Sequence, residues 1–160
     1  MFEAEARWLR CALDAFPSER LTPLLNLGSS SVEVRECLQP WIEDQIFFPL
    51  RARNVEVLHV DKRELPGVDV QADLTDPADV QRLGALRPRA LLCCNLLEHV
   101  IEPDRLARHR LDLVATEGLL FFTVPSVILT TVTRSTRCIG RIQQSSPSSS
   151  TALACWTARS

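Results

Sequence analysis

The stretch Leu24-Leu25-Asn26-Leu27-Gly28-Ser29-Ser30-Ser31 limits what this chain can become more than any other. An unbroken apolar run without alternation reads as a strand buried on both faces, as in a parallel sheet. It stops at one glycine and three serines, and from Val32 to Leu38 the spacing turns helical. Strand, tight turn and helix together aim unpaired backbone N–H groups, and the positive end of a helix dipole, at a ligand. Gly28 taken alone also serves as an ordinary strand-to-helix turn residue.

The rest of the chain is placed relative to that turn. Glu3 to Phe16 spaces Trp8, Leu9, Ala12, Leu13 and Phe16 as an amphipathic helix that Pro17 ends. Trp41 to Arg53 is a second apolar, partly helical segment; Pro40 to Arg53 is an insertion before the next strand, read as a lid or part of a substrate wall. Val55 to Val60 is a second strand ending at Asp61, and Val68 to Gln71 a short third. Thr75 or Asp76 caps a helix with Pro77 in its first turn. Ala90 to Asn95 and Leu119 to Val124 are further apolar strands, separated by a helix from Asp104 to about Val114.

Strands and helices alternating in this way imply an α/β fold, a Rossmann-like parallel sheet flanked by helices. Ligands of such sheets lie beyond the carboxyl ends of the strands. The residues there are Gly28 to Ser30, Asp61, Asp73-Leu74 and Asn95 to His99. An acid ending the second strand can accept charge-assisted hydrogen bonds from a ribose diol, each worth about 1.5–3 kcal/mol. Asp is also common in turns for local reasons.

The motifs Asn26-Leu27-Gly28-Ser29, Val60-Asp61, Ala72-Asp73-Leu74, Leu92 to Val100 and Gly118 to Pro125 resemble the successive motifs of class I S-adenosylmethionine-dependent methyltransferases of bacterial type. The block Asn95-Leu96-Leu97-Glu98-His99-Val100 is the most specific of them. The resemblance implies S-adenosylmethionine as cofactor. Asn26, Gly28, Ser29 and Ser30 would face its methionine end, Asp61 its ribose, Asp73 its adenine amino group and Leu74 the ring. Asn95 would lie beside the sulfonium, where an unknown, small-molecule or other, acceptor enters. Glu98 and His99 are typical of the family without a fixed role, and His99 is a candidate at the acceptor. Because the sulfonium is already activated, alignment and water exclusion suffice for many acceptors, and no catalytic residue is assigned. The absence of Gly-x-Gly-x-x-Gly argues against a nicotinamide dehydrogenase. The alternative is a non-catalytic Rossmann-like remnant with weak or no cofactor binding.

Three features depart from the family pattern. The turn has a single glycine, and the gap from Gly28 to Asp61 exceeds the roughly 20 residues of a minimal βαβ unit. Finally, all 20 acids lie at or before Glu117, and from Val127 the chain is rich in Thr, Ser and Arg. Two segments follow: a cofactor-binding domain over 1–125 and a poorly ordered tail over 126–160, the C-terminal strand pair of the family being missing or disordered. Codons compatible with Val127 to Ser149, read from their third base, can spell Tyr-Pro-Tyr-His-Arg-Asp-Pro-Ile-Asp-Thr-Leu-Tyr-Arg-Pro-Asn-Pro-Ala-Glu-Leu-Ala-Glu-Leu-Phe. That phrase resembles a normal family continuation, so the tail reads as the product of a single-base loss near Ser126 or Val127, and the enzyme as truncated.

Composition narrows the partners. A net charge of -2 makes no electrostatic case for nucleic acid or an anionic membrane. No apolar run reaches the ~20 residues of a membrane span, and the N-terminus lacks a signal-peptide pattern. Six scattered cysteines without a CxxC pair support neither a metal site nor a disulfide framework, and suggest reduced thiols in the cytoplasm.

Overall fold

The computed structural model describes residues 1–96, 113, 118–125 and 151–157, with 124–125 and 151–157 as backbone only. Helix α1 spans Glu3–Asp14 and a short α2 spans Ser18–Leu21. Strand β1, Leu24–Leu27, is followed by a π-helical segment, Val34–Leu38. A second π-helical turn, Glu43–Phe47, runs into α3, Phe48–Ala52. Then come β2 (Val57–Asp61), β3 (Val70–Gln71), α4 (Pro77–Gly84) and β4 (Ala90–Cys94). Strand β5 is Leu119–Pro125 and β6 is Thr151–Thr157.

The strands form one sheet in the order β3-β2-β1-β4-β5-β6. The first five are parallel, with Leu24 beside Val57 on one flank and Ala90 on the other. The chain is therefore a Rossmann-like α/β domain, as its alternating pattern implies. Central strands hydrogen-bonded on both sides and covered on both faces need apolar side chains at every position, hence the unbroken runs. Successive side chains point to opposite faces. Leu24, Ala90, Leu92, Leu119 and Phe121 join one core cluster; Leu25, Leu27, Leu91 and Cys93 join the other.

The first cluster is closed by α1 through Leu9 and Leu13, both essentially sealed from solvent. Ile42, Ile46, Phe47 and Leu50 close it from the inserted segment, whose apolar face thus packs on the sheet. The i, i+4, i+5, i+8 spacing of those four residues puts an apolar stripe on the sheet, and each buried side chain contributes roughly 1.5–3 kcal/mol. The second cluster is covered by Val80 and Leu83 of α4 and by Leu113. Asp76 caps α4, its carboxylate accepting from the Ala78 N–H at 2.9 Å.

The tail departs from expectation in one place. Residues 151–157, read as part of an unordered tail, form a strand that pairs antiparallel with β5 from Leu119↔Thr157 to Pro125↔Thr151. The run Ala152-Leu153-Ala154-Cys155-Trp156 is apolar, and the open edge of β5 offers unpaired backbone groups to it. One antiparallel strand, not a pair, is found among the described residues. The expected helix from Asp104 lies outside the described residues, Leu113 excepted.

Candidate functional site

Where the loops after β1, β2, β3 and β4 meet, they enclose a cavity of about 550 Å³. Gly28, Ser30, Asp61, Asp73, Leu74 and Asn95 line it, together with Val60, Lys62, Arg63, Ala72, Thr75 and Leu96. Six of the eight residues expected at the cofactor thus share one crevice. Asn26 does not reach it. Its position in β1 turns it toward the α1 side of the sheet, where its Nδ2 donates to His59 Nδ1 at 3.0 Å. Ser29 is also absent from the lining and buried, its hydroxyl donating to the Ser30 carbonyl at 3.3 Å. Glu98 and His99 lie outside the described residues.

Asp61 is the best-positioned acid. Its Oδ2 accepts from the Ser30 N–H at 2.9 Å, and its Oδ1 from the Arg63 N–H at 3.0 Å and Nε at 3.3 Å. Burial works to raise its pKa, but the N–H groups of Arg63 and Ser30 and the Arg63 guanidinium outweigh it, so the carboxyl sits below its ordinary value. Oδ2 keeps a lone pair for a ligand, and the Arg63 side chain facing Oδ1 is 65% exposed and can swing away. The carboxylate thus keeps acceptor capacity at the crevice.

Asp73 is more heavily engaged. Lys62 Nζ lies 2.7 Å from its Oδ2, and the Thr75 hydroxyl and N–H donate to its Oδ1 at 2.7 and 2.9 Å. Those three contacts, Lys62 foremost, hold its pKa at about 2. Any ligand donor that reaches Oδ2 must share it with Lys62, whose side chain is 72% exposed.

The turn after β1 is built otherwise than its sequence suggests. The N–H groups of Gly28 and Ser29 both donate to the Val60 carbonyl, at 2.8 and 3.0 Å, and that of Ser30 is used by Asp61. They are tied to β2 and not offered to a ligand. The turn is held from beneath by Arg35, only 4% exposed, whose guanidinium donates to the carbonyls of Ser29 at 3.0 Å, Ser30 at 2.7 Å and Gly67 at 2.7 Å. A buried cation that satisfies carbonyls replaces the flexibility that further glycines would supply. Gly28 itself needs its glycine: φ is +70°, and a Cβ would lie 2.7 Å from Leu96 Cδ1.

Two of the four non-glycine residues with positive φ among the described residues line the cavity, Ser30 at 57° and Asn95 at 51°. Such backbone costs about 1–3 kcal/mol and persists only where surroundings impose it. Asp61 and Arg35 impose it at Ser30. At Asn95 the constraint comes from α1: Asn95 Nδ2 donates to Glu5 Oε1 at 2.9 Å and Oε2 at 3.1 Å, and its N–H to the Thr123 carbonyl at 3.1 Å. Burial pushes the neighbouring Cys94 thiol well above its usual range, which removes it as a thiolate nucleophile.

Arg35 and Glu5 were missed by sequence reasoning. Glu5 carried a signal, since it shares the i, i+4, i+8 face of Leu9 and Leu13. Arg35 carried none, because its three acceptors belong to turns whose approach only the fold defines.

Taken together, a parallel sheet with a crevice at the carboxyl ends of its strands and an acid at the end of β2 defines a Rossmann-like α/β fold, in which ligands lie beyond those strand ends. Three solved structures resemble the chain at low sequence identity. A hypothetical protein from Thermus thermophilus aligns over 96% of this chain and 85% of its own, with a TM-score of 0.53 and 12% identity, and shares the fold. A SAM-dependent methyltransferase from Archaeoglobus fulgidus aligns over 76% of this chain at a TM-score of 0.47 and 11% identity. An O-methyltransferase family protein from Burkholderia thailandensis aligns over 80% of this chain and 42% of its own, at a TM-score of 0.41 and 14% identity. The chain spans about half of the Archaeoglobus protein, 53%. No family model and no curated protein matches the chain. Among the described residues no helix is long and apolar enough to cross a membrane, and no group of His, Cys, Asp and Glu is placed to hold a metal ion.

Proposed function

We propose that this chain binds S-adenosylmethionine and is the cofactor-binding part of a cytoplasmic methyltransferase acting on an unknown acceptor. The observation that carries the reading is the position of Asp61. Its carboxylate stands in the crevice against the turn of the adjacent strand β1, with lone-pair capacity left for a sugar diol. Asp61 would hold the ribose, Asp73 and Leu74 the adenine, and Gly28 and Asn95 the wall along the methionine portion. The cofactor supplies a methyl group already activated by its sulfonium. What remains for the chain is to orient it and exclude water, and the apolar wall of Val60, Ala72, Leu74 and Leu96 serves the second task. No residue is assigned as a base. Residues 1–125 form the binding domain in this reading, and 126–160 an addition to it.

A second reading is a remnant that binds no cofactor. It is favoured by one observation: the N–H groups of Gly28, Ser29 and Ser30 are all committed to β2. Calorimetry with S-adenosylhomocysteine separates the two. The first expects binding that Asp61→Ala weakens at least tenfold, about 1.4 kcal/mol; the second expects no heat of binding from the wild type.

A further inference from the structure

One peptide group joins a buried cation to the acid at the end of β2. In a trans peptide the carbonyl and the N–H point in opposite directions across one plane. The unit between Ser29 and Ser30 is trans, Thr22-Pro23 being the cis bond among the described residues. Its carbonyl faces Arg35, whose Nη1 donates to it at 3.0 Å. Its N–H, on the other side, donates to Asp61 Oδ2 at 2.9 Å. Arg35 and Asp61 therefore hold the same peptide by its two ends.

The two N–H groups before it, of Gly28 and Ser29, bind the Val60 carbonyl without help from Arg35, so the strand end is fixed independently. The Ser29–Ser30 unit differs, because Ser30 sits at φ +57°, a conformation that a serine leaves when released. Flipping that peptide would relax Ser30 and swing the Ser29 carbonyl toward the Asp61 carboxylate, setting acceptor against acceptor. Arg35 opposes the flip. The same Nη1 also holds the Ser30 carbonyl at 2.7 Å, and Nη2 is braced on the Gly67 carbonyl at 2.7 Å. The brace is close-fitting: a Cβ on Gly67 would lie 2.8 Å from Nη2 and 2.6 Å from Val32 Cβ.

Resting on the adenosyl reading above, we propose that Arg35 is a positioning residue for the ribose site: by clamping the Ser29–Ser30 peptide it aims the Ser30 N–H at Asp61 Oδ2 and fixes that carboxylate for the sugar. Arg35 does not line the crevice and acts only through the peptide. Its charge also polarises that peptide, which strengthens the N–H as a donor. Arg63, the other cation on Asp61, bonds Oδ1 from a side chain 65% exposed, so its departure leaves Oδ2 held.

The test is a double-mutant cycle read by calorimetry with S-adenosylhomocysteine, on variants shown to be folded by circular dichroism. Arg35→Met is expected to weaken binding at least fivefold in the wild-type background. Beside Asp61→Ala, where the peptide has no carboxylate to aim at, it is expected to weaken binding less than twofold. A merely structural role would weaken both backgrounds by the same factor. A loss below fivefold in the first background, or of twofold or more in the second, overturns the proposal. Where Arg35→Met does not fold, Arg35→Lys, which keeps the charge without the fork, takes its place with the same thresholds. Should neither fold, amide exchange on the wild type decides. A Ser30 N–H held by Asp61 exchanges with deuterium at least tenfold more slowly than an unprotected amide, and less protection than that overturns the clamp. Failure of S-adenosylhomocysteine to bind the wild type, or Asp61→Ala binding it as tightly as the wild type, overturns the adenosyl reading itself, a separate result.

Discussion

Replacing Arg35 with methionine keeps the aliphatic stem and removes the guanidinium that ties the β1 turn to the Pro66-Gly67 turn. Three hydrogen bonds are lost, to the carbonyls of Ser29, Ser30 and Gly67 at 3.0, 2.7 and 2.7 Å. Bonds to a charged donor are worth roughly 1.5–3 kcal/mol each, so a naive sum approaches 5–9 kcal/mol. Two corrections reduce it. Burying the guanidinium cost several kcal/mol, recovered when it is removed. Gly67 is exposed and Ser30 half-buried, so water can reach their carbonyls; only that of Ser29, in a residue 6% exposed, is left without a partner. The net loss for Arg35→Met is about 2–4 kcal/mol. For a chain of this size that corresponds to a Tm lower by roughly 4–16 °C. Arg35→Lys keeps the charge without the fork, and recovers less than half of the loss. Urea unfolding at constant m-value provides the measurement. A methionine variant within about 0.5 kcal/mol of wild type, the spread of ordinary surface substitutions, would show that the turn does not depend on the guanidinium.

Two further tests concern other parts of the molecule. Burial foremost, with the Arg35 charge in support, lowers the pKa of His59 from 6.5 to about 4. The unfolded chain therefore binds the extra proton first, and stability is complete above pH 6.5 and falls as pH drops from 6.5 toward 4, by on the order of 3 kcal/mol. His59→Gln should flatten that segment of the stability curve, and an unchanged slope would remove His59 as its origin. The tail is tested on the gene: we expect the nucleotide sequence from about Val127 onward to encode an acid-bearing family continuation in the shifted frame, and codons that do not spell one end the frameshift hypothesis.

How much of this could be read beforehand differs between fold and site. The strands were legible because burial on both faces leaves no room for polar residues, so Leu24–Leu27 and Ala90–Cys94 announce themselves as apolar runs. The crevice was legible in outline because loops at the carboxyl ends of parallel strands converge, which brings Gly28, Asp61, Asp73 and Asn95 together. What was not legible is the direction of individual polar groups. Asn26 belongs to a strand whose period of two turns it to the α1 side, toward His59. The turn N–H groups were taken for ligand donors because a local motif does not reveal that Val60 of the neighbouring strand will claim them. Ion pairs such as Lys62 with Asp73 join residues eleven apart through a loop whose path composition does not specify.

The position of β1 in the middle of the sheet has its own consequence. Its flanking strands enter 33 and 66 positions later in the chain, as the pairings Leu24↔Val57 and Leu24↔Ala90 record. No hairpin can assemble this centre locally, so its formation waits on distant segments meeting, and folding should be slow for a protein of this length. Once assembled, the amides of Leu25 to Leu27 are bonded between two strands with solvent on neither side. They should be among the last in the molecule to exchange with deuterium, opening only when the whole domain does.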